Sequence, residues 1–179
     1  DILVIPEAMG LPYEMQEKRG PWFPETVKDV SDLKKLRIAD GVDDLSYVIE
    51  AIKITKKALN GRVPLIGFAG APWTVATYMI AGRGTKDQGP AHALKAADRA
   101  TFSALIDVIT EATIDYLSMQ VQAGAEVIKL FDSWAGSLKG QDFTDFAVKP
   151  AARIISALKA KHPGLPVIAF PREAGEGYV

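Results

Sequence analysis

Cysteine is absent from this 179-residue chain. Its absence excludes disulfides, cysteine-ligated zinc, iron–sulfur clusters and thiolate nucleophiles within the segment. Histidine is scarce as well, since the chain has only His92 and His162, and their separation of 70 residues offers no helical or hairpin pair of metal ligands. Both fall at predicted helix edges, where we expect them on the surface, so neither a Ser–His triad nor a metal site is predicted. A cysteine-free composition is compatible with a reducing cytoplasm, the location that we expect.

The chain also has no large excess of positive over negative residues, or of negative over positive ones. The chain has 21 Lys and Arg against 22 Asp and Glu, a formal net charge of −1. Because no overall positive field would attract phosphates, we expect no nucleic-acid partner. Hydrophobic residues make up 48% of the chain, a share typical of folded globular domains rather than of disordered segments.

One uncharged run, 63–82, has the length of a membrane-spanning helix and is flanked by Arg62 and Arg83. It contains Pro64, Pro72 and three glycines, which would break such a helix or leave its backbone groups without partners. We therefore predict a buried strand, a turn and the start of a helix in this run, and no membrane span.

Short apolar runs alternate along the chain with longer stretches of helical periodicity. The runs predicted as strands are 2–5, 64–68, 126–131 and 166–170, and the run 64–68 reads as a strand buried on both faces. The stretches predicted as helices are 43–59, 72–82, 91–122 and 142–161, and 6–27 is predicted to be a long loop. This order predicts an α/β fold, either an open doubly wound sheet or a (β/α)8 barrel. In both folds functional groups collect at the carboxyl ends of the strands.

Two predicted strands end in chemically suggestive segments. The turn at 67–74 is rich in small residues, but it lacks the Gly-Lys-Ser/Thr of a phosphate loop and falls short of a dinucleotide-binding pattern. Taken alone, the turn is better explained by tight packing of a helix on a strand. Asp132 and Ser133 follow another strand, where they could cap the next helix or bind a ligand. The residues alone leave both alternatives open.

Taken in order, several segments carry a family resemblance. They are DILVIPEAMG at 1–10, GPWFP at 20–24, GFAGAPWTVATY at 67–78 and LFDSWAG at 130–136. In sequence and spacing they resemble the uroporphyrinogen decarboxylases of haem biosynthesis. The likeness runs over the whole chain and corresponds to about the middle half of the family's length.

The resemblance implies a fold and an activity. The family fold is a (β/α)8 TIM-type barrel, of which this chain would cover about half, so that 1–179 form the central part of one barrel domain truncated at both ends. The implied enzyme is a carboxy-lyase of porphyrin biosynthesis that converts uroporphyrinogen III to coproporphyrinogen III by removing the carboxyl groups of four acetate side chains. The family uses no cofactor or metal, and its members are homodimers. We expect the 179 residues alone to be inactive and poorly folded, because half a barrel leaves open sheet edges.

The resemblance also implies four site residues. Asp1 matches a carboxylate that accepts hydrogen bonds from the pyrrole N–H groups and opposes positive charge on the ring. Tyr78 matches a catalytic tyrosine that binds a substrate carboxylate, and Ser133 matches a serine that hydrogen-bonds a side-chain carboxylate. Phe68 matches an aromatic residue that lines the substrate cleft. The family's substrate-binding arginines and histidine match segments upstream of Asp1 and near the family's C-terminus, which this sequence does not contain.

Two other readings compete with the decarboxylase. A zinc- or corrinoid-linked methyltransferase of the same barrel superfamily would bind zinc through Cys and His, which the composition does not favour. A non-catalytic relative would bind porphyrinogen without releasing CO2. Tight metal binding would favour the first alternative, and binding without turnover would favour the second.

Overall fold

The computed structural model describes residues 1–37 and 44–175. The helices are α1 (Val4–Ala8), α2 (Val30–Leu33), α3 (Ser46–Leu59), α4 (Pro72–Ala81), α5 (Gly89–Ala97), α6 (Arg99–Gln122), α7 (Gly140–Phe143) and α8 (Lys149–Lys161), with a 3-10 turn at Ala135–Ser137 and a π-helical turn at Thr144–Val148. The strands are β1 (Glu14–Gln16), β2 (Gly20–Trp22), β3 (Ile66–Gly70), β4 (Val127–Asp132) and β5 (Val167–Pro171).

Strands β3, β4 and β5 form a parallel sheet in chain order. A doubly wound sheet reverses its strand order at a switch point, whereas a barrel adds each new strand beside the last. The α/β prediction is therefore confirmed, and the chain order of the three strands agrees with the predicted (β/α)8 barrel. Strands β1 and β2 form a separate antiparallel hairpin, with Met15 opposite Pro21, inside the stretch predicted to be a loop.

The two faces of the parallel sheet differ in burial. Ala69, Ile128 and Leu130 are buried against the helices and belong to one apolar core. On the opposite face Phe68 and Phe170 are 38% and 42% exposed. The expectation that the second predicted strand is buried on both faces was wrong for the described residues, because helices cover one face only.

The prediction of a first strand at 2–5 was also wrong, because helix α1 begins at Val4. The Asp1 side chain accepts a hydrogen bond from the Leu3 N–H at 2.9 Å and turns the chain into the helix. Pro6 lies in the first turn of α1, where its missing N–H costs nothing. A short apolar run cannot be assigned to strand or helix by periodicity alone, and burial of Val4, Ile5, Pro6 and Ala8 favours the helix.

The long predicted helix 91–122 is two helices, α5 and α6, with Asp98 between them. The Asp98 carboxylate accepts hydrogen bonds from the Thr101 N–H at 3.0 Å and from its hydroxyl at 2.7 Å, so it caps α6. The predicted helix 142–161 is interrupted by the π-helical turn. The predicted start of the helix 43–59 lies outside the described residues. The helix α3 ends at Leu59 and is capped by Asn60 in a left-handed conformation. No helix in the described part of the chain is long and apolar enough to cross a bilayer.

Candidate active site

Asp1 lies at the carboxyl edge of the parallel sheet. Its neighbour Ile2 passes over Gly70, the last residue of β3, so closely that a Cβ atom on Gly70 would lie 3.1 Å from Ile2 Cβ. The Asp1 carboxylate accepts hydrogen bonds from the Leu3 N–H through Oδ1 and from the Tyr13 hydroxyl through Oδ2, the latter at 3.1 Å. A carboxylate has about four acceptor positions, so Asp1 retains capacity for further donors.

Asp1 and Phe68 line one cavity of about 220 Å³ that runs along the free edge of β3, between Ile52 and Thr55 of α3 and Tyr116 of α6. Phe68 projects from the open face of β3, and its ring meets that of Phe131 edge-on with 5.8 Å between centroids. Gln120 closes part of the cavity by pairing with the Phe68 backbone, accepting from its N–H at 2.9 Å and donating to its carbonyl at 2.8 Å. Tyr116 also lines the cavity, and burial raises the pKa of its phenol to about 12. The structure thus brings two of the four predicted residues together.

Tyr78 and Ser133 belong to segments that are joined through Thr74. Thr74 lies one helical turn before Tyr78 on α4, and its hydroxyl donates to Asp132 Oδ1 at 2.6 Å. The same hydroxyl accepts from the Trp134 N–H at 3.1 Å. Because Ser133 stands between those two partners, this network ties the Ser133 segment to the helix that carries Tyr78. Tyr78 and Ser133 are both half-buried, and their roles stay predictions.

Asp132, the last residue of β4, carries a buried carboxyl group, and 5% of the residue's surface is exposed. Burial raises its pKa to about 6, and the hydrogen bonds from Thr74 oppose that rise. Along β4 the buried side chains Ile128, Leu130 and Asp132 alternate with more open ones, which places Asp132 on the helix side of the sheet. The carboxyl group therefore fastens β4 to α4 and does not cap the following helix.

Lys129 occupies the open face of β4. Its Nζ atom lies 4.6 Å from the centroid of the Phe131 ring and 4.9 Å from that of Phe170. The rings attract the ammonium group, and no carboxylate among the described residues forms an ion pair with it. Lys129 was not predicted as a site residue, although a single lysine in an otherwise apolar strand could have indicated it. It adds one positive charge to the aromatic face that Phe68 shares.

The two histidines lie at helix ends as predicted, His92 in the first turn of α5 and His162 directly after α8, and both are half-buried. His92 packs against Trp73 with 5.1 Å between ring centroids, and burial together with Lys95 lowers its pKa. The His162 ring pairs with the Ser118 hydroxyl through Nε2 at 2.8 Å. Neither histidine contacts Ser133, and the described residues include no cluster of three or more His, Cys, Asp or Glu arranged to hold a metal ion.

Comparisons with known proteins agree with this architecture. The solved structure of a methyltransferase from Methanosarcina mazei has a TM-score of 0.63 at 24% identity over 94% of this chain and 48% of its own, a likeness of fold alone. Curated uroporphyrinogen decarboxylases from Paracoccus denitrificans and Cereibacter sphaeroides are 63% and 58% identical over 99% and 100% of this chain. The chain spans about half the length of the curated relatives it matches, 52% of each. The family model for uroporphyrinogen decarboxylase matches residues 1–179, which confirms the resemblance, and the chain belongs to the uroporphyrinogen decarboxylase family.

Proposed function

We propose that this segment, joined to the remaining half of a single (β/α)8 barrel, decarboxylates the four acetate side chains of uroporphyrinogen III to give coproporphyrinogen III. The observation that carries the proposal is the Asp1 carboxylate, which two hydrogen bonds orient beside Gly70 at the carboxyl end of β3. Family membership over the whole chain supports the same reaction.

The chemistry needs an acceptor for electrons. Loss of CO2 from a pyrrole acetate leaves an electron pair on the methylene carbon, and protonation of the adjacent ring carbon creates a cationic ring that accepts this pair. A proton then adds to the exocyclic methylene carbon and the ring carbon releases its added proton, which leaves a methyl group on a restored pyrrole. The substrate thereby supplies the function that a prosthetic group serves in other decarboxylases, so we propose that no cofactor or metal is needed. The protein must hold the ring and stabilise its positive charge.

Asp1 is suited to that task. Its free acceptor positions can receive pyrrole N–H groups, while the Leu3 N–H and the Tyr13 hydroxyl prevent the carboxylate from rotating. A fixed negative charge next to the ring stabilises the cation that forms before CO2 leaves. Phe68, 38% exposed on the open face of β3, provides an apolar surface for the macrocycle.

Tyr78 and Ser133 are proposed to bind carboxylates of the substrate. A phenol and an aliphatic hydroxyl each donate one hydrogen bond, and both segments are held in place by the Thr74 network. Lys129 adds a cation on the aromatic face. For the complete protein we further propose a homodimer in the cytoplasm without nucleic-acid or membrane partners. The 179-residue segment alone is still predicted to be inactive.

The test is an oxygen-free assay of the complete protein with uroporphyrinogen, beside its Asp1→Asn variant. We expect the parent to form coproporphyrinogen and the variant to lose about a hundredfold or more in kcat, since it lacks the charge opposed to the ring cation. An Asp107→Asn variant, altered at an exposed carboxylate on α6, is the control and should retain full activity.

Other outcomes would contradict the proposal. Binding of uroporphyrinogen without CO2 release in a well-folded parent would identify a non-catalytic relative. Methyl transfer that depends on added zinc would identify the methyltransferase alternative, which the family match does not favour. Full activity of the Asp1→Asn variant would leave decarboxylation intact and remove Asp1 from the mechanism.

A further inference from the structure

A second, larger cavity of about 790 Å³ lies beside the β1–β2 hairpin. It is enclosed by the hairpin on one side and by the loop between α4 and α5 on the other. The lining residues are Gln16, Arg19, Pro21, Trp22, Arg83, Gly84, Thr85 and Lys86. Its volume is within the range of small-molecule sites.

The two walls of this cavity are joined through the backbone. Trp22 and Arg83 form an antiparallel bridge, and the Phe23 N–H donates to the Gly82 carbonyl at 2.7 Å. Gly82 has a φ of +73°, and a Cβ atom there would lie 3.2 Å from the Phe23 carbonyl oxygen. The glycine thus permits both the left-handed turn and the close approach of the two segments.

Arg83 and Lys86 lie on the loop between α4 and α5. The buried side chain of Gln88, which is 2% exposed, holds this loop in place. The Gln88 amide donates to the Thr85 carbonyl at 2.6 Å and accepts from the Thr85 hydroxyl at 3.1 Å. Arg83 and Lys86 therefore extend from a backbone that is held at both ends, which lowers the entropy cost of binding a ligand between them.

The charges around the cavity are unbalanced. Arg19, Arg83 and Lys86 line it and no acidic residue does. Within the described ranges none of the three forms an ion pair, whereas Arg99 pairs with Asp142 and Asp145 on the far side of α6. Three free cations around one concave surface create a field that attracts anions.

This cavity adjoins the predicted catalytic tyrosine. A Cβ atom on Gly84, one of the lining residues, would lie 3.6 Å from the Tyr78 hydroxyl oxygen. A ligand whose one arm reaches Tyr78 can therefore place neighbouring arms among the cations. Trp22, 37% exposed, offers an apolar surface to the methylene groups of such arms.

We propose that Arg19, Arg83 and Lys86 form a carboxylate subsite that binds side chains of the tetrapyrrole other than the reacting acetate. The proposal rests on the proposed function, because the eight carboxylates of uroporphyrinogen need cationic partners, and Tyr78 and Ser133 offer only hydroxyl groups. Arginine suits this purpose because its guanidinium binds a carboxylate through two parallel hydrogen bonds.

The test uses the complete protein and two probes, uroporphyrin for binding and uroporphyrinogen for turnover. Uroporphyrin keeps the eight carboxylates but is oxidised and cannot react. We expect replacement of Arg19, Arg83 and Lys86 by Gln to raise the Kd for uroporphyrin about tenfold and to reduce its dependence on salt. The KM for uroporphyrinogen should rise by a similar factor, with kcat changed less than about twofold.

The control replaces three exposed lysines elsewhere by Gln, at Lys34, Lys57 and Lys159. It removes the same charge and should change Kd less than about twofold, so an equal loss in both variants would overturn the subsite in favour of a net-charge effect. The urea unfolding midpoint of the triple variant should match that of the parent, which shows that its loss of affinity is not misfolding. Unchanged uroporphyrin binding in the triple variant would also overturn the proposal.

If the parent fails to convert uroporphyrinogen, the proposed function fails, while the uroporphyrin titrations still decide whether the cations bind carboxylates.

Discussion

The Tyr13 hydroxyl donates a hydrogen bond to Asp1 Oδ2 at 3.1 Å, so a residue of the connection between α1 and β1 orients the carboxylate at the sheet edge. Partial burial and the negative charge of Glu7 raise the pKa of Tyr13, which keeps the phenol protonated and able to donate. Family resemblance drew attention to Asp1 but not to this partner, which only the folded chain brings near.

Replacing Tyr13 by Phe should weaken catalysis without affecting the fold. The variant loses one hydrogen bond to a charged group at a partly exposed position, about 1 kcal/mol, which corresponds to about a fivefold fall in kcat/KM. Steady-state kinetics of the complete protein with uroporphyrinogen measure this. Tyr47→Phe, at an exposed tyrosine on α3, is the matched control and should behave as the parent. Equal rates for Tyr13→Phe and the parent would show that the Leu3 N–H suffices to hold Asp1.

The buried carboxyl of Asp132 should make stability fall as the pH rises. Its pKa is raised from 3.8 to about 6, mainly by burial, so between about pH 4 and 6 the unfolded chain loses its proton before the folded one does. In this range the folded state keeps a proton that the unfolded state has released, so the free energy of unfolding falls as the pH rises. Above about pH 6 the carboxyl group is ionised in both states, and the stability that its protonation gave the folded state is lost. Asp132→Asn removes this dependence and still accepts from Thr74. Urea unfolding should show the variant gaining about 3 kcal/mol relative to the parent between about pH 4 and 7.

The control for this experiment is a carboxyl group whose pKa is shifted in the opposite direction. Hydrogen bonds from Lys149, Gln141 and Arg99 lower the pKa of Asp145 to about 2. The stability that it contributes is present above about pH 4 and is lost as the pH falls towards 2. The difference between the parent and Asp145→Asn should therefore stay constant from about pH 4 to 7. A constant difference for Asp132→Asn as well would contradict the assignment of a raised pKa.

The parts of the fold that local patterns predicted are those with clear boundaries. Strands at 126–131 and 166–170 differ from β4 and β5 by one residue at each end, and α4 begins at Pro72 as predicted. Apolar runs between glycines and prolines define such elements well. The run at 2–5 could not be assigned in the same way, since its helix is set by burial and by the Asp1 side chain.

Side-chain direction was the part of the site that local patterns could not supply. Asp132 and Lys129 lie three residues apart on one strand, yet one faces the helices and the other the open face. Which of the two faces is buried depends on where α6 and α8 pack, and that is decided by residues distant in sequence. Tyr13 and Gln120 reach the site from segments to which no family motif draws attention.

Gly82 should tolerate alanine much less than Gly61 does. Both glycines have a φ of +73°, so alanine is strained at either position. At Gly61 nothing lies within 4 Å of the added Cβ, whereas at Gly82 it would meet Thr26 Cγ2 at 3.0 Å and the Phe23 carbonyl oxygen at 3.2 Å. We expect Gly82→Ala to lower the free energy of unfolding by at least about 1 kcal/mol more than Gly61→Ala, measured by denaturant titration. Equal losses would mean that the hairpin is not held against Gly82.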